Sequence, residues 1–391
     1  MTISASRPFA LAGFLLLAAG ALAAGSAGNA PPHASPSSSR HEAVGLVPHA
    51  IAVADFDGDG VPDVAVPAAA ERKVAILLSD GTGNFRSNHA YTTGIGPSWV
   101  ETGDFNGDGK VDVVTANTGG GNLSLYFGDG KGKFSRAADI PEVDGPASVA
   151  ALDVNGDGRP DLAVTQPREA RLVVLENIGG NFRKAASYEV GRAPHIVTRV
   201  ELNGDGIPDL VVGTFARHML FVFLGTRDGT FRAAARVEAG RFPHYVVQGD
   251  WDRDGKQDLA VACAGEDAIV LLRGDGSGAL RKTGAVSTGN NPHGLAAADL
   301  NGDGISDLAG SARTAGEISV FLGDGRGGFT MREPLRVGQD IIALAAADFD
   351  RDGRIDLALV SASHGSIAML KGSGRGDFAP FAPPGRNRRT P

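Results

Sequence analysis

The 391-residue chain has a single cysteine, Cys263, so no intrachain disulfide can staple its fold. It has no excess of basic residues: 37 Lys and Arg stand against 45 Asp and Glu, for a net charge of −8. Without a basic field, neither nucleic acid nor an anionic membrane is expected as the main partner. The catalytic signatures H-E-x-x-H, G-x-S-x-G and the Walker phosphate loop do not occur. Long helices are not expected either, because 56 glycines and 21 prolines interrupt the chain. Yet hydrophobic residues make up 42% of it, enough to bury a core, so wholesale disorder is excluded. Mostly β structure with many tight turns is the expectation.

The one extended apolar run, from Phe9 to Ala24, follows Arg7 and ends in Ala-Leu-Ala before Ala24. Residues 1–24 therefore read as a secretory signal, with a retained single-span anchor as the alternative; the run is short and Gly-interrupted for a span. Residues 25–42, rich in Ser, Pro and Ala, read as a solvated tether, and 381–391 as a disordered tail. A secreted, periplasmic or cell-surface location follows, with no stable membrane span in the mature chain.

Between these ends one pattern recurs seven times. Acidic nine-residue segments begin at Asp55, Asp104, Asp153, Glu201, Asp250, Asp299 and Asp348, a spacing of 49 that shortens once to 48. Each is followed by a Gly-rich turn closed by Phe85, Phe134, Phe182, Phe231, Leu280, Phe329 or Phe378. Around these landmarks lie short β-prone runs, in the first copy His49–Ala54, Asp63–Val66, Lys73–Leu78 and Phe85–Thr92. A four-stranded unit of this size cannot cover its own faces, whereas a ring of such units packs each against its neighbours. Residues 43–380 are thus expected to form an all-β, seven-bladed β-propeller of four-stranded antiparallel blades. An open β-solenoid is the alternative. Ring closure should join the termini, with residues near Arg40 to Val47 completing a fourth strand that breaks at Pro380 in the last copy.

The acidic segments have the pattern of a calcium loop. Oxygens at positions 1, 3, 5 and 9, with the carbonyl of position 7, converge if the chain turns sharply at the glycine of position 6. The expected ligands are Asp55, Asp57, Asp59, Val61 and Asp63 in the first loop, and Asp104, Asn106, Asp108, Lys110 and Asp112 in the second. In the third they are Asp153, Asn155, Asp157, Arg159 and Asp161, and in the fourth Glu201, Asn203, Asp205, Ile207 and Asp209. The fifth offers Asp250, Asp252, Asp254, Lys256 and Asp258, and the sixth Asp299, Asn301, Asp303, Ile305 and Asp307. The seventh offers Asp348, Asp350, Asp352, Arg354 and Asp356. Position 7 varies freely, as a backbone ligand would. Hard oxygen donors without His or Cys select Ca²⁺, up to seven ions. An EF-hand is excluded because position 12 carries no Glu: it is Val66, Thr115, Val164, Val212, Val261, Gly310 and Leu359. Seven ions would carry fourteen positive charges and shift the net charge from −8 to +6. Without them, crowded carboxylates repel one another, so metal should stabilise each blade. The fourth loop, led by a longer Glu, is the weakest site. Arg253 and Arg351, at position 4, either neutralise their loops in part or are simply solvated.

These D-x-[DN]-x-D-G-x-x-D loops, preceded in six copies by a proline seven residues upstream, resemble the FG-GAP/VCBS repeat family, which includes the integrin α-subunit head. The resemblance covers about Val47 to Phe378 and implies a calcium-bearing propeller with each loop joining the first two strands of a blade. Ile341 in place of the upstream proline and the Glu-led fourth loop depart from the family pattern.

Six residues before the loops stand His49, His195, His244 and His293, where the other copies have Ser98, Ala147 and Ile342. In a propeller this position starts the innermost strand, at the channel mouth opposite the acidic loops. The histidines either hold a ligand or second metal there, or cap their strands by hydrogen bonding to a turn. Trp99 and Tyr245, the next residues in their copies, either offer a stacking surface for sugar rings or pack between blades. Trp251, at loop position 2, reads as core, and Cys263 as a buried thiol. Arg375, Gly376 and Asp377 spell an integrin-binding tripeptide but fall in a Gly-rich turn at the equivalents of Lys131, Gly132 and Lys133. The functional expectation is a noncatalytic, monomeric scaffold binding glycans or proteins. The alternative is a carbohydrate-active enzyme, a lyase or hydrolase, at the channel mouth, where Glu101 is the obvious free carboxylate.

Overall fold

A computed structural model describes residues 41–381; the expected signal, most of the tether and the tail beyond Phe381 lie outside the described residues. Seven antiparallel sheets succeed one another along the chain, each running strand a to strand d from the channel outward. In blade 1 the strands are Ala52–Ala54, Asp63–Ala68, Lys73–Ser79 and Phe85–Thr92, close to the expected segments. The innermost strand is shorter than expected and the second longer. Among the described residues the only helical element is a 3₁₀ turn at Ala69–Glu71.

The b strands are buried throughout, as in Asp161–Gln166 and Asp258–Cys263, because both faces of every blade are covered. The d strands are largely exposed or half-buried. Seven hydrophobic clusters result, one at each blade–blade interface. Val64, Val66 and Leu77 of blade 1 pack on Phe349, Val360 and Ile367 of blade 7, so the ring closes.

Closure is composite. The outer edge of blade 7 is shared by Phe378–Pro380 and by His41–Ala43, both pairing with Ser366–Gly372. His41 and Glu42 therefore belong to the sheet, two residues earlier than the expected end of the tether. The chain's two ends on one strand make opening the ring cost a sheet ladder as well as a hydrophobic interface.

Trp251 is core, 2% exposed, and Cys263 is fully buried as the last residue of its strand, its thiol donating to the carbonyl of Ala239 at 2.9 Å. Burial pushes that thiol up to about 12, the setting of an inert cysteine. Asp377 of the seventh Gly-rich turn is held by Arg332 at 2.6 Å.

Candidate metal centres and channel mouth

Each acidic loop is wound around its own first carboxylate. In blade 1, Asp55 Oδ1 accepts from the amides of Gly58 at 2.7 Å and Asp59 at 3.2 Å, and Oδ2 accepts from Gly60 at 2.8 Å. Asp59 Oδ1 accepts from the amide of Val61 at 2.8 Å. Asp104, Asp153 and Asp299 repeat the three-amide pattern. The turn demands a left-handed backbone at position 6, met by glycine in every copy, with Gly60 at φ 81°. It demands the same at position 4, which sequence reasoning missed. Five loops place glycine there, while Arg253 and Arg351 are forced to φ 58° and 60°.

The position-9 aspartate has a distinct role. Asp63 is fully buried; Oδ2 accepts from Phe56 at 2.9 Å and Oδ1 from Ser79 at 2.7 Å. It thus ties the start of the loop to the end of strand c. Asp112, Asp161, Asp209, Asp307 and Asp356 do the same in their blades. Burial, assisted by neighbouring loop carboxylates, raises the pKa of all seven, that of Asp63, Asp112, Asp307 and Asp356 to about 6.

The loops also lock neighbouring blades. Phe56 at position 2 meets Phe134, which closes the Gly-rich turn of the next blade, with ring centroids 5.4 Å apart; Phe105 meets Phe182 and Trp251 meets Phe329 in the same way. The turn amide of Gly132 donates to the carbonyl of Phe56, and that of Gly327 to Trp251.

Three loops gather carboxylates tightly enough to hold an ion. Asp55, Asp57 and Asp63, then Asp250, Asp252 and Asp254, then Asp348, Asp350 and Asp356 each present oxygens within 4.8 Å of one another. These are the three loops with Asp at position 3. The donor set, all hard oxygen, fits Ca²⁺ or Mg²⁺ and no softer metal. Each also receives a basic side chain: Arg86 contacts Asp57 and Asp59, Arg273 contacts Asp252 and Asp254, and Lys371 contacts Asp350 and Asp352. The Asn-bearing loops, with Asn106, Asn155, Asn203 and Asn301, have one carboxylate fewer. In the fourth, Glu201 takes the Gly204 amide at 2.9 Å, and among the described bonds its longer arm does not wrap Gly206. At position 7 the side chains of Lys110, Arg159, Lys256 and Arg354 fold back onto the position-5 aspartates, while Val61 is buried.

At the other end of the inner strands, the histidines meet. His244 and His293, from blades 5 and 6, lie with ring centroids 3.7 Å apart, and His195 of blade 4 is 5.2 Å from His244. His49 stands exposed at the same rim. Two further residues complete the mouth: Phe215 stacks on His195 at 4.1 Å, and Arg313 reaches within 3.4 Å of His293 Nε2 while bound to Asp340. Both stand at the turn after strand b, where the equivalent residues are Ala69, Thr118, Pro167, Ala264 and Ala362. That break in the repeat is the signal that would have revealed them. Burial is the main cause holding His195 down at about 4 and His293 at about 3.

Trp99 and Tyr245 do pack, though not within one interface. They meet across the channel, above a cavity of about 440 Å³ that Glu101 and Arg199 help to line. Enclosure raises Glu101 to about 7, although it accepts from the amide of Thr102 at 3.1 Å and faces Arg199.

A family model of FG-GAP-like repeats matches residues 55–115, 104–164, 201–261 and 250–310. No curated protein sequence matches the chain. Among solved structures, BBS1N in complex with ARL6DN superposes with a TM-score of 0.61 at 13% identity, over 86% of this chain and 94% of that one. An Agrocybe aegerita lectin specific for non-reducing terminal N-acetylglucosamine gives 0.56 at 18% identity, over 84% and 92%. A catalytically inactive virginiamycin B lyase from Staphylococcus aureus with quinupristin gives 0.55 at 16%, over 84% and 97%. At such identities the likeness is one of fold. Among the described residues no helix is long and apolar enough to cross a membrane.

Proposed function

The chain belongs to the FG-GAP-like repeat family, and from that premise we propose that it is a calcium-stabilised binding scaffold acting outside the cytoplasm on glycans or proteins. The observation that carries the metal is the gathering of three carboxylates within 4.8 Å in the loops of blades 1, 5 and 7. Ca²⁺ there would be held by the position-1, position-3 and position-5 or position-9 carboxylates, and would supply the charge that offsets their repulsion. Because position 2 of each loop packs on the next blade, an ion that stiffens the loop also stiffens the ring. The apolar run of residues 1–24 supports export.

Binding is favoured by the frame itself: a rigid wheel presenting two faces of loops, the architecture that an N-acetylglucosamine lectin and BBS1N, bound to ARL6DN, also use. A monomer suffices for this, since closure is internal. The second reading, a carbohydrate-active enzyme, rests on Glu101, whose carboxyl near 7 suits a general acid in the channel cavity. A glycan array followed by a product assay on each hit separates the two. Binding without turnover supports the scaffold, and shortened or unsaturated sugars overturn it. Metal content by mass spectrometry, with melting in and out of chelator, tests the ion: calcium-free protein with an unchanged melt would defeat it.

A further inference from the structure

We propose that the histidine-lined mouth formed by His195, His244 and His293, with His49 at its rim, binds one divalent transition ion of the Zn²⁺ type, independently of the acidic loops.

The backbone aims these rings. In blades 4 and 5 the ladder between strands a and b skips a residue, between Pro194 and Ile196 and between Pro243 and Tyr245, and the skipped residues are His195 and His244. In blade 6 the irregularity spans Pro292 to Leu295 and includes His293. A β-bulge re-aims the side chain it releases, here out of the blade interface and into the mouth. The residue before each proline is itself left-handed, Ala193 at φ 55°, Phe242 at 56° and Asn291 at 61°. So the same local distortion, repeated in three adjacent blades, delivers three imidazoles to one place.

Their surroundings do not account for them as caps. Among the described residues no hydrogen bond joins the ring of His49, His195 or His244 to protein, and His293 meets only Arg313. Asp340 neutralises that Arg313. The result is a cluster of imidazole nitrogen donors whose one neighbouring cation is already paired. Imidazole nitrogen suits Zn, Cu and Ni rather than Ca²⁺. The ring centroids of His244 and His293 lie 3.7 Å apart and those of His195 and His244 5.2 Å apart, so the three rings share one small space. The His244 and His293 rings are tilted by 31° and His195 is edge-on to His244, so ligation requires the rings to turn about χ2. Six residues of strand separate this mouth from the acidic loops, roughly 20 Å.

The test is titration of the full chain with Co²⁺ in saturating Ca²⁺, read by visible absorption and followed by Zn²⁺ competition. One Co²⁺ per chain with an intense band of tetrahedral nitrogen type, displaced by Zn²⁺, is the expected result. His244→Gln and His293→Gln should each weaken binding at least about tenfold. His89→Gln, on an exposed outer strand, should leave it unchanged. A weak octahedral-type band, no binding in Ca²⁺, or undiminished binding by both mouth variants would overturn the site. If a variant fails to fold, the wild-type spectrum still decides the donor type.

Discussion

Trp99 of blade 2 and Tyr245 of blade 5 touch across the centre of the wheel, ring centroids 5.3 Å apart and tilted by 34°. Two blades separate them in sequence, so the contact ties opposite sides of the ring and fills the channel between its two faces. The Tyr245 hydroxyl is buried there without a hydrogen-bond partner. An unpaired buried hydroxyl costs about 1–3 kcal/mol. Tyr245→Phe keeps the ring contact and removes that cost, so it should raise stability by about 1 kcal/mol, measured as a higher urea midpoint at unchanged slope. A lower midpoint would show the hydroxyl to be satisfied.

The position-9 aspartates hold each blade's loop to its third strand. Asp307→Ala strips the acceptor from two buried amides, Leu300 at 2.9 Å and Gly323 at 2.8 Å. A loss of about 3–5 kcal/mol is expected from two orphaned donors and a small cavity. The readout is the urea midpoint in metal-stripped buffer, where loss of a metal ligand contributes nothing.

Acid should act differently on stripped and calcium-loaded protein. Asp63, Asp112, Asp307 and Asp356 have folded values near 6, against about 3.9 unfolded, so between those values the native state binds more protons. Stability of stripped protein therefore falls as pH rises from about 4 to 6. With Ca²⁺ the carboxylates must ionise to bind, and stability should rise across the same window. Parallel pH profiles in the two buffers would contradict the assignment.

Arg253 occupies a left-handed backbone position where five other loops have glycine. A non-glycine residue there costs about 1–2 kcal/mol, part of which glycine returns through unfolded-state entropy. Arg253→Gly should stabilise blade 5 by up to about 1 kcal/mol in a thermal melt. Arg351→Gly should gain less, because Arg351 also reaches the loop of blade 1 through Asp59.

Much of the fold was legible because it is written locally and seven times over. The loops, the Gly-rich turns and the four strand segments each depend on residues within one repeat, and the strand Phe85–Thr92 falls where the pattern puts it. The position-4 requirement was hidden by its own regularity: glycine in five copies looked like part of a calcium motif, and two arginines looked like charge compensation. Likewise Asp63 reads only as a ligand in sequence, whereas its oxygens also accept from the amides of Phe56 and of Ser79, the latter sixteen residues on.

The amino-acid order by itself settled the number of blades, the place of every acidic loop and the joining of both ends, since a spacing repeated seven times leaves few ways to cover apolar faces. Which side chains meet in the channel was decided only by the closed ring. His195, His244 and His293, or Trp99 and Tyr245, share a register position that places them at the channel, but they lie far apart along the chain and their contacts with one another arise only because the inner strands of separate blades converge on a common axis. That convergence depends on blade–blade packing rather than on any single repeat.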